Sequence, residues 1–281
     1  MRILRDIRSA RRWRSGCASR VVLVPTMGAL HRGHTELLRL AKKTAGPRGK
    51  VVASIFVNPT QFGPGEDYQS YPRPLVNDLA ACRKAGADAA FVPSAAEMYA
   101  ADRSVSICER TLSMVLCGRS RPGHFDGVCT VVAKLFLILQ PTHAVFGEKD
   151  WQQLAIVRRM VRDLDIPVEI IGCPTVREAD GLALSSRNAY LTPAERQLAP
   201  RIHAALQAAS ALKTRVAIES RAAAAIKKIP GTRIDYISAV DASTLAPLTN
   251  RKKPGRLCAA VHLGRARLID NIPIPPGKFA S

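Results

Sequence analysis

Two histidines three residues apart, His31 and His34, end the segment VVLVPTMGALHRGH at residues 21–34. Where a buried strand gives way to a helix, such histidines sit beside unpaired backbone N–H groups at the positive helix end. That combination makes a phosphate site. Imidazole N–H groups there can donate to an α-phosphate and to the bridging oxygen of a departing pyrophosphate, stabilising charge that grows in the transition state. Without the strand before it, H-x-G-H describes only ordinary helix-start histidines.

Four more segments carry polar groups directly after apolar runs. FVNPTQF at 56–62 puts Asn58 and Gln61 behind a buried strand. Neutral amides there can hold hydroxyls and a carboxylate without competing as nucleophiles, although Asn58-Pro59 also reads as a simple polar turn. RSRPGHFD at 119–126 is a basic loop with Arg121 and His124, suited either to receive phosphate or to cap the next helix. In FGEKDWQQ at 146–153, Gly147 permits close backbone approach and Lys149 can meet phosphate as a point charge. Asp150 there can accept a ribose hydroxyl, cap a helix, or do both. DGLALSSRN at 180–188 offers Ser185, Ser186 and Arg187 as an anion clamp.

The elements that must position these groups follow from hydrophobic patterning. Residues 21–24 and 51–57 are near-continuous apolar runs, as expected for parallel strands buried on both faces. Shorter strands are expected at 89–92, 144–146 and 168–171. Helices are expected at 34–44, 75–85, 127–139 and 151–164. This alternation predicts an α/β fold with a doubly wound, Rossmann-like parallel sheet. An amphipathic helix is expected to open the chain over residues 1–14. After about residue 176 the pattern changes. Thr192-Pro193-Ala194-Glu195 is a capping box with Pro at the first helical position, opening a helix expected to reach about 213. Another helix is expected at 216–228, then strands at 234–240, 257–263 and 267–269, with 272–276 as an extended tail. The expected domains are residues 1–175, binding nucleotide, and a smaller α+β lid, residues 176–281.

Composition sets outer limits. Apolar residues at 47% and charged residues at 23% place the chain among folded globular proteins rather than disordered ones. No apolar stretch approaches the roughly 18–20 residues needed to span a bilayer, so no membrane partner is expected. Seven scattered cysteines without a C-x-x-C pair argue against a disulfide framework or zinc cluster and for a reducing, cytoplasmic location. The net charge of +20 favours anionic partners but identifies none.

PTMGALHRGH, SIFVNPTQF, RPGHFDGV, FGEKDWQQL and READGLALSSRNAYL together resemble, in order and spacing, the pantothenate synthetase (pantoate–β-alanine ligase) family of H-x-G-H nucleotidyltransferases. The likeness runs from about residue 25 to 192 and resumes weakly in RLIDN at 267–271. It implies condensation of (R)-pantoate with β-alanine through a pantoyl adenylate, releasing pyrophosphate and AMP. By the matched motifs, Met27, Gly28, Ala29, Leu30, His31, Arg32, Gly33 and His34 line the ATP site. His34, His31 and Lys149 are the catalytic residues. Gly147, Glu148, Lys149, Asp150, Val176, Leu184, Ser185, Ser186 and Arg187 also bind ATP. Gln61 and Gln153 bind pantoate, with Asn58, Arg121, His124 and Tyr71 nearby. Mg²⁺ is implied with ATP and no dedicated metal site, Asp78 being a weak candidate contact; a homodimer is also implied. A fragment of a class I aminoacyl-tRNA synthetase would share H-x-G-H and suit the charge. Against it, 281 residues leave little space for an anticodon-binding domain, and LSSRN is not a Lys-rich loop. An RNA-binding protein explains the charge but not five ordered motifs; aromatics are only 5% and no stacking motif is visible, so no nucleic-acid partner is expected.

Overall fold

The structure, a computed structural model, describes residues 1–250 and 252–277. The chain forms two compact units. The first comprises Met1–Arg110, Arg121–Glu148 and Ile156–Pro174; the second comprises Thr111–Ser120, Lys149–Ala155 and Thr175–Ser281. Two segments that precede residue 175, one of them holding Lys149, Asp150 and Gln153, therefore group with the C-terminal part.

The first unit is built on a six-stranded sheet of β1 (Arg2–Leu4), β2 (Val21–Thr26), β3 (Lys50–Ile55), β4 (Ala89–Phe91), β5 (His143–Gly147) and β6 (Glu169–Cys173). Their order is β1-β4-β3-β2-β5-β6 and every pairing is parallel. Flanking helices include α1 (Ile7–Ser15), α2 (Arg32–Ala45), α3 (Leu75–Lys84) and α6 (His124–Leu139), as the pattern predicts, and a short α4 (Ala95–Met98) that it does not. Val22, Val24, Val51, Ala53 and Val145 from the strands pack with Leu38 and Ala41 of α2 in one apolar cluster. Such branched side chains suit a sheet covered on its faces. The chain winds outward from β2 to β4, then returns to lay β5 against the other side of β2. This reversal places a topological switch point at the carboxyl ends of β2 and β5, where open α/β sheets bind ligands.

In the second unit β7 (Thr232–Asp241), β8 (Gly255–Leu263) and β9 (Ala266–Ile274) form an antiparallel sheet. Their apolar face packs on α9 (Pro200–Ser210) and α10 (Arg215–Lys227), with Leu206, Ile218, Ile226, Leu257 and Val261 in a shared core. Also in this unit are α5 (Leu116–Ser120), α8 (Pro193–Leu198) and the start of α7 (Trp151–Asp163).

Three expectations change. The opening helix begins only at Ile7, because Asp6 caps it and Arg2–Leu4 pairs with β4 at the sheet edge. The helix after Thr192 has the expected capping box but is divided, since Pro200 has no N–H to continue the first ladder and instead opens α9. The expected tail at 272–276 is strand as far as Ile274, which pairs with Gly255. The cysteines among the described residues are free thiols. Five are buried, and burial pushes the Cys129 and Cys258 thiols up to about 12. No helix among the described residues is long and apolar enough to cross a membrane.

Candidate active site

Strand β2 ends at Thr26, whose hydroxyl donates to the Ser54 carbonyl at 2.7 Å and accepts the Gly28 amide at 3.2 Å. Gly28 and Ala29 then take positive φ, +85° and +51°. For a residue with a Cβ this backbone is unfavourable by roughly 1–2 kcal/mol. Asp78 of α3 holds it in place. That carboxylate is 1% exposed and accepts the Ala29 amide at 3.0 Å and the Leu30 amide at 2.7 Å. A Cβ on Gly28 would meet the same carboxylate at 2.9 Å, so glycine is required there. Asp78 is thus a clamp on the turn, each of its oxygens accepting one backbone amide.

The two histidines cap α2 reciprocally. His31 Nδ1 accepts the Gly33 amide at 3.1 Å, and His34 Nδ1 accepts the His31 amide at 3.3 Å. The rings lie 4.1 Å apart, tilted by 39°. An imidazole nitrogen that accepts an N–H carries no proton, so in each neutral ring the proton is on Nε2. The first turn of α2 has no acidic residue, leaving its positive end uncompensated by a carboxylate on its own helix. Capping and a phosphate-donor role are therefore compatible, because they use opposite nitrogens.

Gln61 lies in a 3₁₀ turn, Pro59–Gln61, after β3. Its Nε2 donates to Met27 Sδ at 2.9 Å, bringing it against the β2 turn, and its Oε1 accepts Asn58 Nδ2 at 3.0 Å. An amide has two N–H groups and two lone pairs, and these contacts use one of each. Asn58 is 1% exposed and spent. Its Nδ2 also donates to the Gly127 carbonyl, while its Oδ1 accepts from the Thr60 amide, the Thr60 hydroxyl and Tyr99. Asn58 therefore supports Gln61 from behind.

Arg121 and His124 converge on the same turn. His124 Nδ1 donates to the Gln61 carbonyl at 2.7 Å, so its Nε2 is the acceptor for Arg121 Nη1 at 3.0 Å. Arg121 also donates to that carbonyl at 3.3 Å and makes two 2.6 Å bonds to Glu66. Burial alone would push the Glu66 carboxyl up, but Arg121 outweighs it and holds the group below the usual range. The charge of Arg121 is thus matched within the protein, and the N-cap of α6 is Gly123 rather than His124. Both brace the Gln61 backbone. Tyr71 is buried with its ring edge-on to Phe62, 5.9 Å between centroids. At the end of β5, no described atom lies within 4 Å of a Cβ built on Gly147, so packing gives no reason for glycine there.

A second set of expected residues lies on the second unit. Lys149 and Asp150 are half-buried in the 3₁₀ turn Glu148–Asp150 that leads into α7. Lys149 lines a small pocket with Ser185, Asn188, His203 and Asp270. Val176 and Leu184 are brought together by a 3.0 Å backbone bond across a reversal that turns at Gly181, φ +91°. Ser185 Oγ accepts the Arg187 amide at 3.3 Å, capping the 3₁₀ turn Ser186–Tyr190. Arg177 is held bidentately by Asp270, with both bonds 2.8 Å, and His203 Nδ1 donates to the same carboxylate at 3.2 Å. Burial pushes the Asp270 carboxyl up, and its bonds to His203 and Arg177 reverse that to a net lowering. Gln153 is half-buried on α7, whereas its neighbour Gln152 is buried and bonded to the Leu112 and Val115 carbonyls and the Cys117 amide.

Sequence reasoning missed Glu66 and Tyr99, and it read no bracing role in Gly127, Gln152 or Asp270, which lie inside the quoted motifs. Each acts on backbone or side chains far along the chain, so local spacing carried no signal for them. Asp78 and the RLIDN stretch were visible as sequence but not as supports.

The chain is similar to known proteins over nearly its whole length. The pantoate-beta-alanine ligase family model matches residues 2–273. A pantothenate synthetase of Akkermansia muciniphila is 56% identical over 256 residues, covering 90% of this chain and 91% of that protein. A crystal structure of pantothenate synthetase from Thermus thermophilus is similar with a TM-score of 0.90 at 45% identity, over 98% of this chain and 100% of the other. A crystal structure of pantoate-beta-alanine ligase from Francisella tularensis, complexed with beta-gamma ATP and beta-alanine, is similar with a TM-score of 0.81 at 35% identity, over 97% of both chains.

Proposed function

The chain belongs to the pantoate-beta-alanine ligase family and is an ATP-dependent ligase of pantoate and β-alanine, and from that premise we propose how its residues divide the reaction. A carboxylate is a poor acyl donor and must first gain a leaving group. In the first step a pantoate carboxylate oxygen bonds to the α-phosphorus of ATP, the bond from that phosphorus to the bridging oxygen breaks, and pyrophosphate leaves. In the second step the β-alanine amine bonds to the acyl carbon, the carbon–oxygen bond to AMP breaks, and the nitrogen loses a proton.

One observation supports the first step above the others. Both H-x-G-H rings have Nδ1 engaged by backbone amides, which assigns Nε2–H as the donor at a helix N-terminus beside the switch point. His34 Nε2–H donates to the α-phosphate and His31 to the departing pyrophosphate. Lys149 adds a positive charge, and catalysis is positioning plus charge neutralisation rather than covalent attack by the protein. By the matched motifs, residues 27–34, Gly147, Glu148, Lys149, Asp150, Val176, Leu184, Ser185, Ser186 and Arg187 are the ATP-binding set. Gln61 and Gln153 hold pantoate. Mg²⁺ enters with the nucleotide and neutralises phosphate charge when bound. Mg²⁺ is commonly bound through substrate phosphates and water rather than by a dedicated protein cage. A homodimer in the cytosol completes the reading, the latter supported by free, scattered thiols.

Purified protein with ATP, Mg²⁺, pantoate and β-alanine should release AMP and pyrophosphate, and withholding pantoate should stop both. Turnover with other carboxylates but not pantoate would refute this substrate. Gly147→Ala provides an independent probe of the nucleotide site. Its φ is not positive and its surroundings are open, so alanine should hold or raise stability, by about 0.4–1 kcal/mol through the unfolded chain. If the glycine instead makes room for ATP, KM for ATP should rise roughly tenfold, equivalent to about 1.4 kcal/mol of binding. A lowered Tm with unchanged KM would show that this glycine serves only the fold.

A further inference from the structure

Strand β9 carries a buried asparagine, Asn271, that the reaction as described leaves unused. It is 3% exposed. Its Nδ2 donates to the Lys149 carbonyl at 3.0 Å, across 122 positions of sequence, and its Oδ1 accepts Arg256 Nη1 at 2.9 Å. The partners fix the orientation of the amide, since a carbonyl can only accept and a guanidinium can only donate. Arg256 in turn stacks on Trp151, 3.6 Å from its ring centroid, and Trp151 Nε1 donates to the Ala242 carbonyl at 2.9 Å. The peptide on either side of Asp150 is thus tied to the antiparallel sheet at Lys149 and again at Trp151.

We propose that Asn271 is a positioning residue for pantoate adenylation, aiming Lys149 by holding its carbonyl while Arg256 holds the amide. Lysine places a compact charge on a flexible four-carbon stem, so the direction of its Cα–Cβ bond decides how much of its reach is useful. Fixing the Lys149 carbonyl fixes the peptide plane from which that bond departs. Strand geometry makes the device economical. Successive side chains face opposite sides, so Asn271 secures Lys149 while the adjacent Asp270 secures Arg177, next to Val176. This inference rests on Lys149 acting on the phosphates of ATP.

Asn271→Asp tests it, because aspartate keeps an acceptor for Arg256 but turns an oxygen toward the Lys149 carbonyl. Pantoate-dependent ATP–pyrophosphate exchange should fall about tenfold to a hundredfold, the scale of a displacement of about 1 Å in a catalytic group. Aminolysis of supplied pantoyl adenylate by β-alanine should stay within about twofold, which general loosening of the fold would not allow. In a Lys149→Ala background, followed by single turnover, the same substitution should add little further loss. Wild-type exchange in Asn271→Asp would overturn the proposal, and so would an equal loss in both backgrounds or in both half-reactions. Should Asn271→Asp not fold, Asn271→Ser, too short to bridge both partners, carries the same expectations. A Lys149→Ala enzyme with normal exchange would instead refute the role of Lys149 itself, and the inference with it.

Discussion

Replacing His34 with alanine should lower pantoate-dependent ATP–pyrophosphate exchange by about 10²–10³-fold, the usual loss when one donor to a developing charge is removed. The reason lies in the two ends of the ring. His34 Nδ1 accepts the His31 amide and helps close the start of α2, and Nε2 is then the protonated atom. Alanine removes both functions, so stability should also fall, by about 0.5–2 kcal/mol as for other lost caps. The two effects can be separated with His34→Gln. Glutamine is a natural capping-box residue at this helical position and can reach back to the His31 amide. Its Tm should stay near that of the parent while exchange remains low, because its amide sits elsewhere than imidazole Nε2. Near-normal exchange in His34→Ala would overturn the proposed mechanism, whatever happened to the Tm.

Gly127→Ala should be damaging even though alanine is the better helix former. Gly127 lies in the first turn of α6, and a Cβ there would meet the Thr60 carbonyl oxygen at 2.3 Å, its carbon at 2.5 Å and the Gln61 amide nitrogen at 2.7 Å. Helix propensity favours alanine by about 1 kcal/mol. The clash is with backbone, which cannot swing aside as a side-chain tip can, and overpacking of this kind costs about 1–3 kcal/mol or more. The balance is destabilising, with a Tm lower by several degrees; about 2–4 °C accompanies each kcal/mol in a chain of this size. The 3₁₀ turn must move to make room, and it carries Gln61 with it. The Asn58 bond to the Gly127 carbonyl and the His124 and Arg121 bonds to the Gln61 carbonyl should loosen together. KM for pantoate should therefore rise, by roughly tenfold, while KM for ATP changes much less. A raised Tm with unchanged KM for pantoate would mean that helix and turn are free to separate, against the packing described.

The parallel sheet and the two-histidine segment were legible in the amino-acid sequence because their causes are local. Strands buried on both faces must be apolar along their length, so residues 21–24 and 51–57 declare themselves without any partner in view. The capping box at Thr192 and Glu195 likewise spans only a few residues and formed as expected. The resemblance of five ordered motifs supplied the substrates, which no single turn could name.

Tertiary structure decided which of those polar residues already spend their hydrogen bonds inside the protein. Asn58 and Gln61 look equivalent in a short polar turn. Packing against α6 buries Asn58 among its hydrogen-bond partners and leaves only Gln61 with capacity to spare. Arg121 and His124 form one basic loop in sequence, and the fold sets Glu66 against the first and the Gln61 carbonyl against the second. Asp78 stands in sequence as an isolated acid until α3 carries it under the β2 turn, where it accepts two backbone amides. Strand β1 could not be seen because three residues with a helix-compatible pattern owe their conformation to a partner strand more than eighty positions away. In each case the deciding bond joins segments far apart in the chain. A polar side chain's type tells what it can bond, and only the fold tells how many of those bonds are already made.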